Sequence, residues 1–129
     1  MTAMKRLLLL GGLAVCASAA NAATPLPAPT KTFLQKHCFE CHDADTQKGK
    51  VRLDNLPADF ATPATTETWG KVFAQLERRE MPPKKKPQPS DIERQAVLDW
   101  LGPQLRAAVA ARQNAEGRVA LRRLVAPIS

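Results

Sequence analysis

Apolar residues in the middle of this chain recur at helical spacing. Trp69, Val72, Phe73 and Leu76 fall at i, i+3, i+4 and i+7, which predicts one apolar stripe on a helix over about residues 65–79. Ser90-Asp91-Ile92-Glu93 has the layout of a capping box and opens a further helix, with Ile92, Ala96, Val97, Trp100 and Leu101 along one face. Gly102-Pro103 is expected to break or kink that helix, and an Ala-rich helical stretch follows over roughly 103–112. Nearer the start, Thr30 is placed to cap a first helix with Phe33 and Leu34 as apolar positions. Residues 48–56 read as an irregular, extended stretch with Val51 and Leu53 on one side. From Asn114 the periodicity fades, and 118–124 alternates basic and apolar residues, compatible with a tail, a strand or a docking segment.

The first 23 residues follow a different logic. Lys5 and Arg6 precede an apolar run from Leu7 to Val15, and Ala20-Asn21-Ala22 offers small residues where a signal peptidase reads. This layout predicts a secretory signal peptide cleaved after Ala22 or Ala23. The apolar run is shorter than the ~20 residues of a spanning helix, so no integral membrane segment is expected after processing. A lipid anchor on Cys16 is disfavoured by the branched Val15 before it, and the lack of twin arginines points to general export.

Length and composition then bound the remainder. With 129 residues, 44% hydrophobic and 24% charged, the chain suits one small globular domain. Aromatics are only 5%, which argues against a large aromatic core. The formal charge of +7 falls by two when Lys5 and Arg6 leave, and export disfavours nucleic acid as the partner of the remaining positive charge. Cys16 leaves as well, so the processed chain keeps two cysteines, Cys38 and Cys41, and one methionine, Met81.

Those residues carry the chemistry. Cys38-Phe39-Glu40-Cys41-His42 reads C-x-x-C-H, the attachment motif of c-type haem. Two thiols three residues apart sit on one helical turn and can each bond a haem vinyl group, and the next residue, His42, can then bind iron as proximal ligand. Rival readings are weaker. A thioredoxin-like C-x-x-C needs a surrounding βαβ pattern, which is absent from the sequence pattern. A zinc site would crowd His37, Cys38, Cys41 and His42 into six positions, whereas such sites separate their ligand pairs by a dozen or so residues. A plain disulfide is the bland alternative in an exported protein, and His42 directly after the second cysteine favours haem over it.

The distal iron ligand follows by elimination. Met81 stands in Glu80-Met81-Pro82-Pro83, where prolines stiffen the backbone and suit a loop holding a thioether over iron. Met81 as a core gap-filler is the common alternative. His37 competes as ligand, but it shares one short element with His42 and should not reach the opposite haem face. An unfilled apolar cleft between His42 and Met81 is the expected sign of the site. Arg52 and Trp69 are candidate propionate partners, with surface and core roles favoured over that. Lys84-Lys85-Lys86 is expected as a solvated loop, with docking to an acidic redox partner as the functional alternative.

These stretches resemble a class I cytochrome c domain, and more closely the planctomycete-type cytochrome c domain of large exported multidomain proteins. The resemblance rests on residues 33–42, on Lys48-Gly49-Lys50-Val51-Arg52-Leu53-Asp54, and on Glu80-Met81-Pro82-Pro83 with Pro87-Gln88-Pro89-Ser90 after it, within about residues 30–112. It implies Cys38 and Cys41 as haem attachment sites and His42 and Met81 as axial ligands. It also implies an all-α fold around one covalent haem c. Many class I cytochromes place a proline soon after the proximal histidine to orient the imidazole, and this chain has none there, which leaves the partner of the free ring nitrogen unassigned.

The expected division is 1–23 signal peptide, 24–112 haem domain, and 113–129 a C-terminal tail or truncated linker to a missing domain. The expected activity is periplasmic electron transfer by a carrier that is not itself an enzyme. The alternatives are a haem module serving a separate catalytic chain, a fragment of a larger protein, a peroxidase (weakened by the absence of a distal Arg/His pair), and a purely structural domain.

Overall fold

The computed structural model describes residues 25–124, with side chains to residue 118. The predicted signal peptide, Cys16 and the last five residues lie outside the described part. Three α-helices follow one another: α1 (Ala28–His37), α2 (Pro63–Glu77) and α3 (Asp91–Leu124), with one 3-10 turn at Lys48–Lys50 between the first two. No strand occurs among the described residues. The fold is all-α, as its periodicity predicts.

Each helix begins for a local reason. α1 and α2 both place a proline in the first turn, Pro29 and Pro63, where the missing N–H is no loss and the fixed φ is already helical. Thr30, expected as the cap of α1, is instead buried inside its first turn. α3 opens on the capping box: the Ser90 amide and hydroxyl donate to Glu93 Oε2 at 2.8 and 2.9 Å, and the Glu93 amide donates to Ser90 Oγ at 3.2 Å. These bonds satisfy orphan donors of the first turn. They also hold the Glu93 carboxyl down at about 2, the Ser90 amide being the largest cause, with the Lys36 ammonium of α1 assisting at 3.2 Å.

Ser90→Ala should therefore lower stability by about 1 kcal/mol in denaturant titration. The carboxylate's contribution should be complete above its unfolded pKa near 4.5 and lost as pH falls toward 2, because its folded pKa is the lower one. In Glu93→Gln that acid limb should flatten.

The core forms where the three helices meet the segment after the 3-10 turn. Phe33 and Leu34 from α1, Leu53 from the segment, Trp69, Val72 and Leu76 from α2, and Val97 and Leu101 from α3 are buried together. Trp69 is fully buried and donates its indole N–H to the Pro57 carbonyl at 2.8 Å. It meets Trp100 edge-on at 5.5 Å, with Phe60 beside both. This small aromatic group and the Pro57 bond account for Trp69 without a propionate.

α3 departs from expectation in three ways. It runs through Gly102-Pro103 without ending, and it continues to Leu124 where the fading periodicity left a tail, a strand or a docking segment open. Proline removes the bond to the Asp99 carbonyl, yet Val97 and Leu101 before it are buried and Leu105 after it packs on the same core. Tertiary packing thus outweighs the local penalty. Gly102 does not end the helix, and a Cβ there would meet the Phe73 ring at 3.4 Å, an ordinary contact, and the flexible end of Arg106 at 3.2 Å. The third departure is the buried face. Ile92 is 84% exposed and Ala96 is exposed, while Arg94 is buried beside Val97 and Leu101.

Candidate haem site

The motif turn grows directly out of the end of α1. The Leu34 carbonyl accepts the amides of Cys38 and Phe39 at 2.9 and 3.0 Å, and the Cys38 carbonyl accepts those of Cys41 and His42 at 3.2 and 3.0 Å. One continuous winding therefore carries both sulfurs and the imidazole. The two thiols are free rather than bonded to each other. Burial pushes the Cys38 thiol up to about 12, the opposite of the lowered thiol that a thioredoxin-like site needs. Among the described residues, no cluster of three or more His, Cys, Asp or Glu side chains is arranged to hold a bare metal ion.

The chain then reverses on itself. Asp43 Oδ1 accepts the amides of Asp45 and Thr46 at 3.1 and 2.8 Å, bonds that hold its carboxyl below the usual range, the Thr46 amide first. Gln47, Gly49 and Lys50 all take positive φ, a tight sequence of left-handed residues for which the glycine is the natural member. The reversal returns Val51 to the motif, where its carbonyl accepts His42 Nδ1 at 3.1 Å and the His42 carbonyl accepts the Leu53 amide at 2.7 Å. A carbonyl can only accept, so Nδ1 is the donor, and in the neutral ring Nε2 keeps its lone pair. That is the tautomer and the orientation an iron ligand requires. The orienting group missing from the sequence pattern is thus a backbone carbonyl, for which no side-chain signal exists. Arg52, next in line, forks onto Asp54 at 2.7 and 3.0 Å, which occupies the guanidinium proposed for a propionate.

The Met81 loop is built against the same region. Its entry is pinned to the end of α2, where the Gln75 carbonyl accepts the Glu80 and Met81 amides at 3.0 and 3.4 Å. Met81 is 36% exposed, so its thioether is not spent as core filling. Lys86 of the loop pairs with Glu40 inside the motif, and the Pro87 carbonyl lies against His37 at the end of α1. His37 itself packs on Phe33 at 5.0 Å, with burial first and the Lys36 charge second lowering its pKa, and its Nε2 has no partner. It faces the loop as a packed residue.

Two expectations change here. Lys86 is engaged with Glu40, which leaves Lys84 and Lys85 as the exposed charges of the run. The cavities described, about 710 and 520 Å³, lie along α2 and α3 around Phe73 and Gly102, and none of Cys38, Cys41, His42 or Met81 lines them. The expected apolar cleft between His42 and Met81 is not among them.

Two unbonded thiols and an imidazole with Nε2 open on one turn, in an all-helical frame, are the arrangement that a c-type cytochrome domain uses. Residues 38–85 match the family described as planctomycete cytochrome C, and over that span the chain carries a planctomycete-type cytochrome c domain. The match takes in the motif, the reversal, α2 and Met81. A domain of this type implies haem c and an electron-carrier role. Comparison with curated proteins and with solved structures returns no match. No helix among the described residues is long and apolar enough to cross a membrane.

Proposed function

We propose that this chain is an exported, periplasmic monohaem cytochrome c that passes single electrons between protein partners. Cys38 and Cys41 would hold the haem through thioethers, with His42 Nε2 and the Met81 sulfur as axial ligands. The observation that carries this reading is the His42 Nδ1–Val51 carbonyl bond, which orients the imidazole and leaves Nε2 free to bind iron. Bound haem supplies a one-electron iron couple.

The chain's own residues do the rest. The Val51 carbonyl raises the basicity of Nε2, and the motif turn holds the imidazole and both sulfurs in register. A thioether on the other side favours the reduced iron and raises the potential. With His42 and Met81 both on the iron, no position would remain for oxygen or peroxide, so the chain would work as a carrier and not as an enzyme. Lys84 and Lys85 offer positive charge beside the Met81 loop for an acidic redox partner. Residues 24–112 would form the haem domain, and 113–129 an appendage beyond it.

The test is reduction and reoxidation by soluble donors and acceptors of opposite charge. Lys84→Glu/Lys85→Glu should slow exchange with an acidic partner at low salt and leave the potential nearly unchanged. Sustained peroxide turnover by the unaltered protein would refute the carrier reading.

A further inference from the structure

The Met81 loop is short of its own donors. Pro82, Pro83, Pro87 and Pro89 remove four backbone N–H groups from a stretch of nine residues. Its carbonyls still need partners. Two side chains supply them. Gln88 Nε2 donates to the carbonyls of Pro82, Pro83 and Lys86 at 3.1, 2.9 and 3.0 Å. Arg94, on the first turns of α3, donates Nη1 to the Met81 carbonyl at 2.8 Å and to the Leu76 carbonyl at 3.2 Å. Its Nη2 reaches Gln88 Oε1 at 3.5 Å, which joins the two devices.

Arg94 is 5% exposed, an unusual place for a guanidinium; among the described residues no carboxylate bonds to it, and its Nε has no partner. A buried charge is costly unless it is compensated. Here the compensation is a set of carbonyl dipoles, one of them at the C-terminal end of α2, where a cation is favoured. The arrangement ties the backbone of the one processed-chain methionine to the end of α2 and to α3 at once. A hydrophobic residue in this position would fill the core equally well and would not hold the loop.

We infer that Arg94 and Gln88 are positioning residues that clamp the Met81 loop, so that the thioether stays on the iron against competing ligands. This rests on the reading of Met81 as the distal ligand. Neither residue touches the haem; both act through the Met81 backbone. Lysine at 94 would keep the charge but lose the planar fork that serves two carbonyls and an amide together.

The experiment uses the full holo-protein, with imidazole as the competing ligand for ferric iron and the red-region Met–iron charge-transfer band as the signature. Arg94→Met should bind imidazole at least about tenfold more tightly than the unaltered protein and show a weakened band. Arg94→Lys should fall between the two, and Gln88→Ala should shift the same way by less. A band in the unaltered protein, with imidazole affinity of Arg94→Met and Gln88→Ala both within about twofold of it, would overturn the clamp and leave the Met81 ligand standing. If Arg94→Met fails to fold, the exposed Gln88→Ala decides: an unchanged affinity overturns the clamp. A Met81→Ala variant that matches the unaltered protein in band and imidazole affinity would overturn the ligand and the clamp together.

Discussion

Alanine at both Cys38 and Cys41 should give an exported chain that carries no haem through washing in acid and organic solvent and keeps only part of its helix content. Alanine is the informative choice, since serine would bury a hydroxyl at Cys38 and add a penalty of its own. The reasoning is one of core size. Among the described residues, a cluster of eight buried apolar side chains serves three helices, of which α3 is 34 residues long. A core this small is marginal without a covalent or cofactor staple. Val51, Leu56, Phe60, Phe73 and Cys38 sit at its margin, only partly covered. Circular dichroism with mass measurement reads both effects, and a double variant that still holds haem as firmly as the parent would contradict the assignment of these sulfurs.

Met81→Ala should have the second-largest effect. Removing the thioether should lower the potential by a sizeable part of the ~0.8 V range that axial ligands command. It should also admit imidazole or cyanide to ferric iron and abolish the charge-transfer band. Fold stability should change little, because Met81 is about a third exposed and the loop is anchored by its backbone, through Gln75, Arg94 and Gln88. That split separates a ligand from a core methionine: a core role predicts the reverse, a loss of stability with spectrum and potential intact.

Much of this architecture is legible in the chain where local rules act alone. The capping box at Ser90–Glu93 forms with both reciprocal bonds. The stripe Trp69, Val72, Leu76 is buried as its spacing predicts, and C-x-x-C-H marks the one turn that carries the thiols and the imidazole. The illegible parts are those that distant groups decide. Gly102-Pro103 carries every local sign of a helix end, yet the packing of Leu101 and Leu105 carries α3 across. Ile92 looks like core and is exposed, because the burial register of α3 is set by Arg94, Val97 and Leu101. An arginine does not announce itself as a buried residue. Its position becomes intelligible only against the run of prolines at 82, 83, 87 and 89, whose carbonyls need donors from elsewhere. The Val51 carbonyl is beyond any reading of side chains, although Gly49 amid polar neighbours marks the reversal that delivers it.

The central claim is that haem is bonded to this polypeptide through Cys38 and Cys41, and intact mass together with the alkaline pyridine spectrum of the full chain, exported from a host with haem-ligation machinery, tests it most directly. One added haem per chain, surviving denaturation and giving the spectrum of a porphyrin with both vinyl groups saturated, is the predicted result. A colourless product at the mass of the processed chain less two hydrogen atoms, its two sulfurs joined as a disulfide, would contradict it.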